Sequence, residues 1–144
     1  IYAAATVYDL NANGGGDPTA RKTWQAGGTY DFGVVKLHAM VQGTESSQSL
    51  ATKFDRLNLM GGVTVPLAGG NLLASYIHSN DKETADQDAT QIGIGYMYPL
   101  SKRTSIYTAF AHINRQNGAT FTVGNATDAG TGNKAFNLGA VHNF

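Results

Sequence analysis

Lys134-Ala135-Phe136-Asn137-Leu138-Gly139-Ala140-Val141-His142-Asn143-Phe144 closes the chain, and its residues alternate in character. Counted back by twos, Phe144, His142, Ala140, Leu138 and Phe136 share one side, with Asn143, Gly139, Asn137 and Ala135 among those on the other. Successive side chains of a strand point to opposite faces, so one face here is apolar and ends in an aromatic ring, while the other is small or polar. On a soluble sheet an exposed terminal Phe invites aggregation; against lipid it anchors the strand at the interface. The stretch therefore reads as the last strand of an outer-membrane barrel.

Composition agrees with strands and narrows the function classes. Gly numbers 18 of 144, well above the usual share of about 7%, Tyr and Phe together number 13, and Pro only 3. Glycine and aromatics at these levels suit closely spaced, curved strands. Lys plus Arg and Asp plus Glu are both 10, so no basic surface is available for nucleic acid. Cys is absent, which removes disulfide frameworks, thiolate metal sites and thiol catalysis. No run approaches the 18 or so apolar residues of a membrane helix, so any crossing is made by strands. No secretory signal precedes Ile1, and the chain opens directly in the strand-like Ile1-Tyr2-Ala3-Ala4-Ala5-Thr6-Val7-Tyr8, as a processed or partial chain would.

Period-two patterning predicts eight strands: Ile1 to Asp9, Lys22 to Phe32, Val34 to Gln42, Phe54 to Val65, Asn71 to Ser79, Ala89 to Tyr98, Arg103 to Ile113 and Lys134 to Phe144. Their connections alternate in kind. Leu10 to Arg21, Gly43 to Lys53, Asn80 to Asp88 and Asn114 to Asn133 are long, whereas Gly33, Pro66 to Gly70 and Pro99 to Lys102 are short. A membrane barrel with short periplasmic turns and longer outer loops has this asymmetry, and it places Phe144 at the periplasmic rim. The expected fold is all-β, an antiparallel transmembrane β-barrel with residues 1–144 as one barrel segment.

The faces follow from the same alternation. Trp24, Ala26, Gly28, Tyr30 and Phe32 oppose Thr23, Gln25, Gly27, Thr29 and Asp31; Val35, Leu37, Ala39 and Val41 oppose Lys36, His38, Met40 and Gln42. Leu57, Leu59, Gly61, Val63 and Val65 oppose Arg56, Asn58, Met60, Gly62 and Thr64, and Ile92, Ile94, Tyr96 and Tyr98 oppose Gln91, Gly93, Gly95 and Met97. Tyr30, Phe32, Tyr96, Tyr98 and Phe144 gather at strand ends on the apolar face, where rings prefer the headgroup boundary. A soluble antiparallel barrel or sandwich also alternates, with its apolar face inward. The Gly-rich polar face, the sorted loops and the aromatic terminus favour the membrane.

Tyr30-Asp31-Phe32-Gly33-Val34-Val35-Lys36-Leu37, the run Gly93-Ile94-Gly95-Tyr96 followed by Leu100-Ser101-Lys102-Arg103-Thr104-Ser105-Ile106-Tyr107, and the closing Leu138 to Phe144 resemble general diffusion porins of the beta-proteobacterial, neisserial-like type. The resemblance covers essentially the whole chain and matches the C-terminal half of such porins. It implies half of a sixteen-stranded barrel, a homotrimer in a Gram-negative outer membrane in contact with lipid and lipopolysaccharide, and passive diffusion of small hydrophilic solutes and ions without a cofactor. The constriction loop and most basic eyelet residues belong to the other half, so no eyelet residue carries over. The alternative is a stand-alone eight-stranded barrel acting as an anchor or binding protein. Eight strands leave an interior just wide enough for side chains, and the small residues facing inward here fill it poorly.

Function then rests on side chains lining the wet face: Lys36 and Arg56 above all, Lys22 and Asp31 nearer the ends, with His38, Gln25 and Asn58. Basic residues in a pore raise local anion concentration, so a mild anion preference is expected, competing with simple hydrogen bonding within a polar wall. Catalysis has little support: no Gly-x-Ser-x-Gly elbow and no His pair at metal spacing occurs, and His78, His112 and His142 lie in the lipid-side register near strand ends. Asp81, Lys82, Glu83, Asp86 and Asp88 lack the spacing of a calcium loop and read as an outer loop. Asn125-Ala126-Thr127 is a weak glycosylation match, and Gly93-x-Gly95 and Gly14-Gly15-Gly16 open no helix and are no phosphate cradles.

Overall fold

The computed structural model describes residues 1–10, 19–48, 53–82, 86–123 and 132–144. Eight strands follow one another: β1 (Tyr2–Leu10), β2 (Thr19–Asp31), β3 (Lys36–Gln48), β4 (Lys53–Leu67), β5 (Gly70–Asp81), β6 (Ala89–Pro99), β7 (Thr104–Arg115) and β8 (Lys134–His142). They form a single antiparallel sheet in strictly sequential order. The ladders end at β1 and β8, which do not pair with one another among the described residues.

Several strands run further than the alternation predicts: β2 begins at Thr19, β4 and β5 continue to Leu67 and Asp81, and β3 and β7 are extended at their long-loop ends. β3 continues from Gly43 to Gln48, where Thr44 pairs with both Thr23 and Arg56 and Glu45 with both Lys22 and Asp55. Gly43 looks like the start of a loop but is a packing position, because a Cβ there would run into the indole of Trp24, which lies over it. The connection to β4 is consequently residues 49–52, no longer than the turn at 32–35, which corrects the expected long loop from Gly43 to Lys53. β7 likewise continues through Asn114 and Arg115, paired with Thr90 and Ala89. Strand pairing, on both sides of β3 and on the β6 side of β7, overrides weak β propensity in these extensions.

Each short connection has its own turn chemistry. After β2, Gly33 takes φ of 86°, its N–H donates to Asp31 Oδ1 at 2.8 Å, and Phe32 N–H donates to Val35 O at 2.9 Å. Between β4 and β5 only Ala68 and Gly69 intervene, at φ of 47° and 79°, the pair of left-handed residues that matches the twist of a two-residue hairpin. Tyr96 lies across that turn and donates its hydroxyl to Leu67 O at 2.8 Å. After β6, Ser101 Oγ accepts from the N–H groups of Arg103 and Thr104 at 3.2 and 3.1 Å.

The cross-strand register puts Val7, Leu37, Leu59, Tyr76, Ile92, Ile94, Phe110 and Leu138 on one face, all exposed, with Ile92 at 56% and Leu138 at 75%. No large side chain is fully buried among the described residues. A soluble sandwich of this length would enclose a dense core between two such faces, whereas lipid tolerates the same surface uncovered. Outward histidines are satisfied locally: His78 Nδ1 with Thr90 Oγ1 at 3.1 Å, His142 Nδ1 with Thr104 Oγ1 at 2.8 Å, and His112 Nδ1 with Asn133 O at 2.9 Å. Polar groups facing lipid require such partners.

Candidate functional site

The opposite face is concave. A recess of about 440 Å³ draws its lining from every strand between β3 and β7, including His38, Met60, Thr64, Ser75, Gln91 and Ala109. A second, of about 250 Å³, continues it toward β1 past Gln25, Thr29 and Thr6. Inner-face residues fall into lateral rows set by the register. One row runs Thr6, Gln25, Gln42, Asn58, Ser79, and Asn58 Nδ2 donates to Gln42 Oε1 at 3.2 Å within it. The next row toward the short turns is less polar than expected, running Gly27, Met40, Met60, Ile77, Gln91 and Ile113.

Charge sits at the two ends of this wall. At the short-turn end Lys36 Nζ lies 3.3 Å from Asp31 Oδ2, with both side chains about half exposed. His38, one row further in, shares a hydrogen bond with Thr64 Oγ1 at 3.0 Å. At the other end Arg56 pairs with Asp81 at 3.7 Å, and their side chains are only 13% and 6% exposed. The ring of Phe121 covers the Arg56 guanidinium at 4.5 Å. Asp81 is held in turn: its N–H donates to Asp88 Oδ1 at 2.8 Å, and its Oδ2 accepts from Gln87 N–H at 3.3 Å.

Lys36, Asp31, His38, Gln25, Asn58 and Arg56 thus share the inner face, but they are not gathered at one height. Arg56 pairs with Thr44, eight positions along β3 from Lys36, or about 27 Å at strand rise, so the two cations form neither a ring nor a stripe. Arg56 does not project into open water as expected; Asp81 and Phe121 enclose it. Lys22 is a correction of face. It pairs with Asp9 and Glu45 in the register of Trp24, two residues on, and so stands outward beyond the apolar band rather than beside Gln25. Arg115, Phe121 and Asp81 belong to the inner wall and carry no signal of it in the sequence, since each sits in a polar run that reads as loop.

The aromatic residues expected at the interface lie at the short-turn end. Tyr30 and Phe32 pack with tilted rings at 4.4 Å between centroids, His142 packs edge-on to Phe144 at 4.9 Å, and Tyr98 flanks Gly69. Tyr96 combines an outward ring with a hydroxyl on the turn carbonyls, as interfacial tyrosines do. Glu83, Gly14 to Gly16 and Asn125 to Thr127 lie outside the described residues.

A concave polar wall backed by a lipid-facing apolar surface, built from sequential hairpins, defines the wall of a transmembrane β-barrel. A family model for the Gram-negative porin matches residues 1–118, and the chain belongs to that family. Outer membrane porin protein 32 of Delftia acidovorans is 30% identical over 106 residues, covering 74% of this chain and 30% of that protein. An anion-selective porin from Comamonas acidovorans superimposes with a TM-score of 0.74 at 27% identity, over 97% of this chain and 40% of that one. The chain therefore spans well under half the length of either relative. The family and its fold place the chain in the outer membrane, and they serve as channels rather than as enzymes.

Proposed function

We propose that the chain forms part of the wall of a water-filled outer-membrane channel for passive diffusion of small hydrophilic solutes and ions. The observation that carries this reading is the concave inner face, where Gly27, Gly62, Gly93, Gly95, Ser75 and Ala109 leave the recesses unfilled. The open edges at β1 and β8 favour a wider barrel, the C-terminal half of a sixteen-stranded one, over an eight-stranded anchor filled by its own side chains. No chemical step and no cofactor enters; pore width and lining charge set selectivity. The Comamonas relative is an anion-selective porin, and in this chain a mild anion preference rests on Lys36, whose partner Asp31 leaves it half exposed. The partners are outer-membrane lipid and lipopolysaccharide, with three copies forming a homotrimer.

Reconstitution of the intact protein in planar bilayers, together with swelling of proteoliposomes in sugars of graded size, tests the reading. Steady ohmic current and a size cut-off are expected. A protein inserted in the membrane that passes neither ions nor sugars would favour the anchor.

A further inference from the structure

We infer that residues Gln116–Val123 form an inward strap that narrows the channel mouth at the long-loop end, and that Phe121 determines which charge a passing ion meets there. This rests on the channel reading.

The strap is tied down along its length. Gln116 N–H donates to Asp88 O at 2.9 Å, and Asn117 Nδ2 donates to Asp86 O at 2.8 Å. Asn117 and Gly118 then take φ of 49° and 76°, and Ala119 N–H closes the reversal on Gln116 O at 2.9 Å. Two left-handed residues in succession turn the chain back on itself, so it runs over its own sheet instead of away from it. Arg115 Nη1 next donates to Phe121 O at 2.7 Å, and Val123 N–H donates to Gly132 O at 3.1 Å.

The direction of travel is inward. Arg115 ends β7, yet the Phe121 ring reaches Arg56 on β4, three strand spacings or about 14 Å across the inner face. Beneath this crossing the wall is buried: Ser79 at 7%, Ala89 and Ile113 at 6%. Val123 of the strap joins Ala89 and Ile113 in a buried apolar cluster, Phe121 packs against it, and Ala119 is buried as well. A loop carrying Phe121 and Val123 has a reason to lie against Ile113 and Ala89, because that contact removes apolar surface from water at a mouth where no lipid reaches it.

Two consequences follow for a solute. The mouth is narrower by the thickness of one chain segment along β4 to β7. The Arg56–Asp81 pair, which would otherwise face the passage, is shielded by an aromatic ring, so the strap presents Gln116, Asn117 and Thr120, all exposed, in its place.

The test uses the intact protein in planar bilayers. Phe121→Ala raises single-channel conductance. Arg56→Gln shifts the anion-to-cation permeability ratio by less than about 1.3-fold in the wild-type background but by about 2.7-fold in the Phe121→Ala background, the screened effect of one unit charge at about 7 Å in 0.1 M salt. As a measurement independent of the ring, Thr120→Cys places a thiol on the exposed side of the strap, in a stretch with no Cys of its own, and the same labelling of the unsubstituted intact protein is the control. Labelling it with a bulky cationic methanethiosulfonate lowers conductance. Fully labelled protein that conducts as before, with Phe121→Ala also unchanged, overturns the strap while leaving the channel standing; a wild-type protein that carries no current overturns both.

Discussion

Replacing Lys36 by Glu reverses one charge on the open part of the wall, and the size of the effect can be worked from its surroundings. The side chain is 45% exposed and its partner Asp31 is 53% exposed, so both act through water. A unit charge at about 7 Å in water interacts with a monovalent ion by about one RT, and a Debye length of about 10 Å at 0.1 M salt halves that. Reversal changes the wall by two charges, so an anion loses about one RT and a cation gains the same. The anion-to-cation permeability ratio therefore falls by about sevenfold at 0.1 M. At 1 M, with a Debye length of about 3 Å, the same arithmetic gives only about 1.5-fold. Reversal potentials in a salt gradient, measured on the intact protein at both ionic strengths, read this directly. A ratio that does not move at 0.1 M refutes the placement of Lys36 in the permeation path, and an equally large shift at 1 M refutes the electrostatic origin.

Three further outcomes test the wall itself. Ile94→Arg, at the middle of β6 on the outward face, costs about 2–4 kcal/mol of folding stability in lipid vesicles, while Gln91→Arg on the inner face costs under about 1 kcal/mol; equal costs in urea titrations mean the faces are misassigned. Gly43→Ala drives the Trp24 indole off the strand, destabilising the fold by about 1–3 kcal/mol and shifting the emission of the chain's single tryptophan; unaltered emission counts against the contact. Ala68→Gly relieves a left-handed alanine in the β4–β5 turn and raises the temperature at which the folded form is lost on electrophoresis, a gain of about 0.5 kcal/mol after glycine's own entropy cost; a fall in that temperature contradicts the turn geometry.

Alternation makes the strands and their faces legible because lipid on one side and water on the other select opposite residue types at every step. It fails where that contrast lapses. Beyond Gly43 and Ile113 the strands leave the apolar band, both faces become polar, and Thr44 or Arg115 looks no different from a loop residue although it is paired on the sheet. Charge alone suggests the wet face for Lys22, yet parity with Trp24 puts it outward, where charge is tolerated above the lipid boundary. For Arg56 the alternation gives the right face and the wrong surroundings. What covers it comes from Phe121, 65 positions later, and no local pattern announces a long-range contact made by one ring.

The strictly sequential order of the sheet means that, among the described residues, each strand touches only the strands that precede and follow it. Circumference is then a tally of hairpins, and barrel diameter grows roughly in proportion to strand number. A hairpin could be duplicated or lost among β1 to β3 by re-pairing two neighbours, whereas β4 to β7 are also tied together by the Phe121–Arg56 contact and by the cluster of Ala89, Ile113 and Val123. Pore size in such a wall is open to change in discrete steps, independently of the inward strap that trims its mouth.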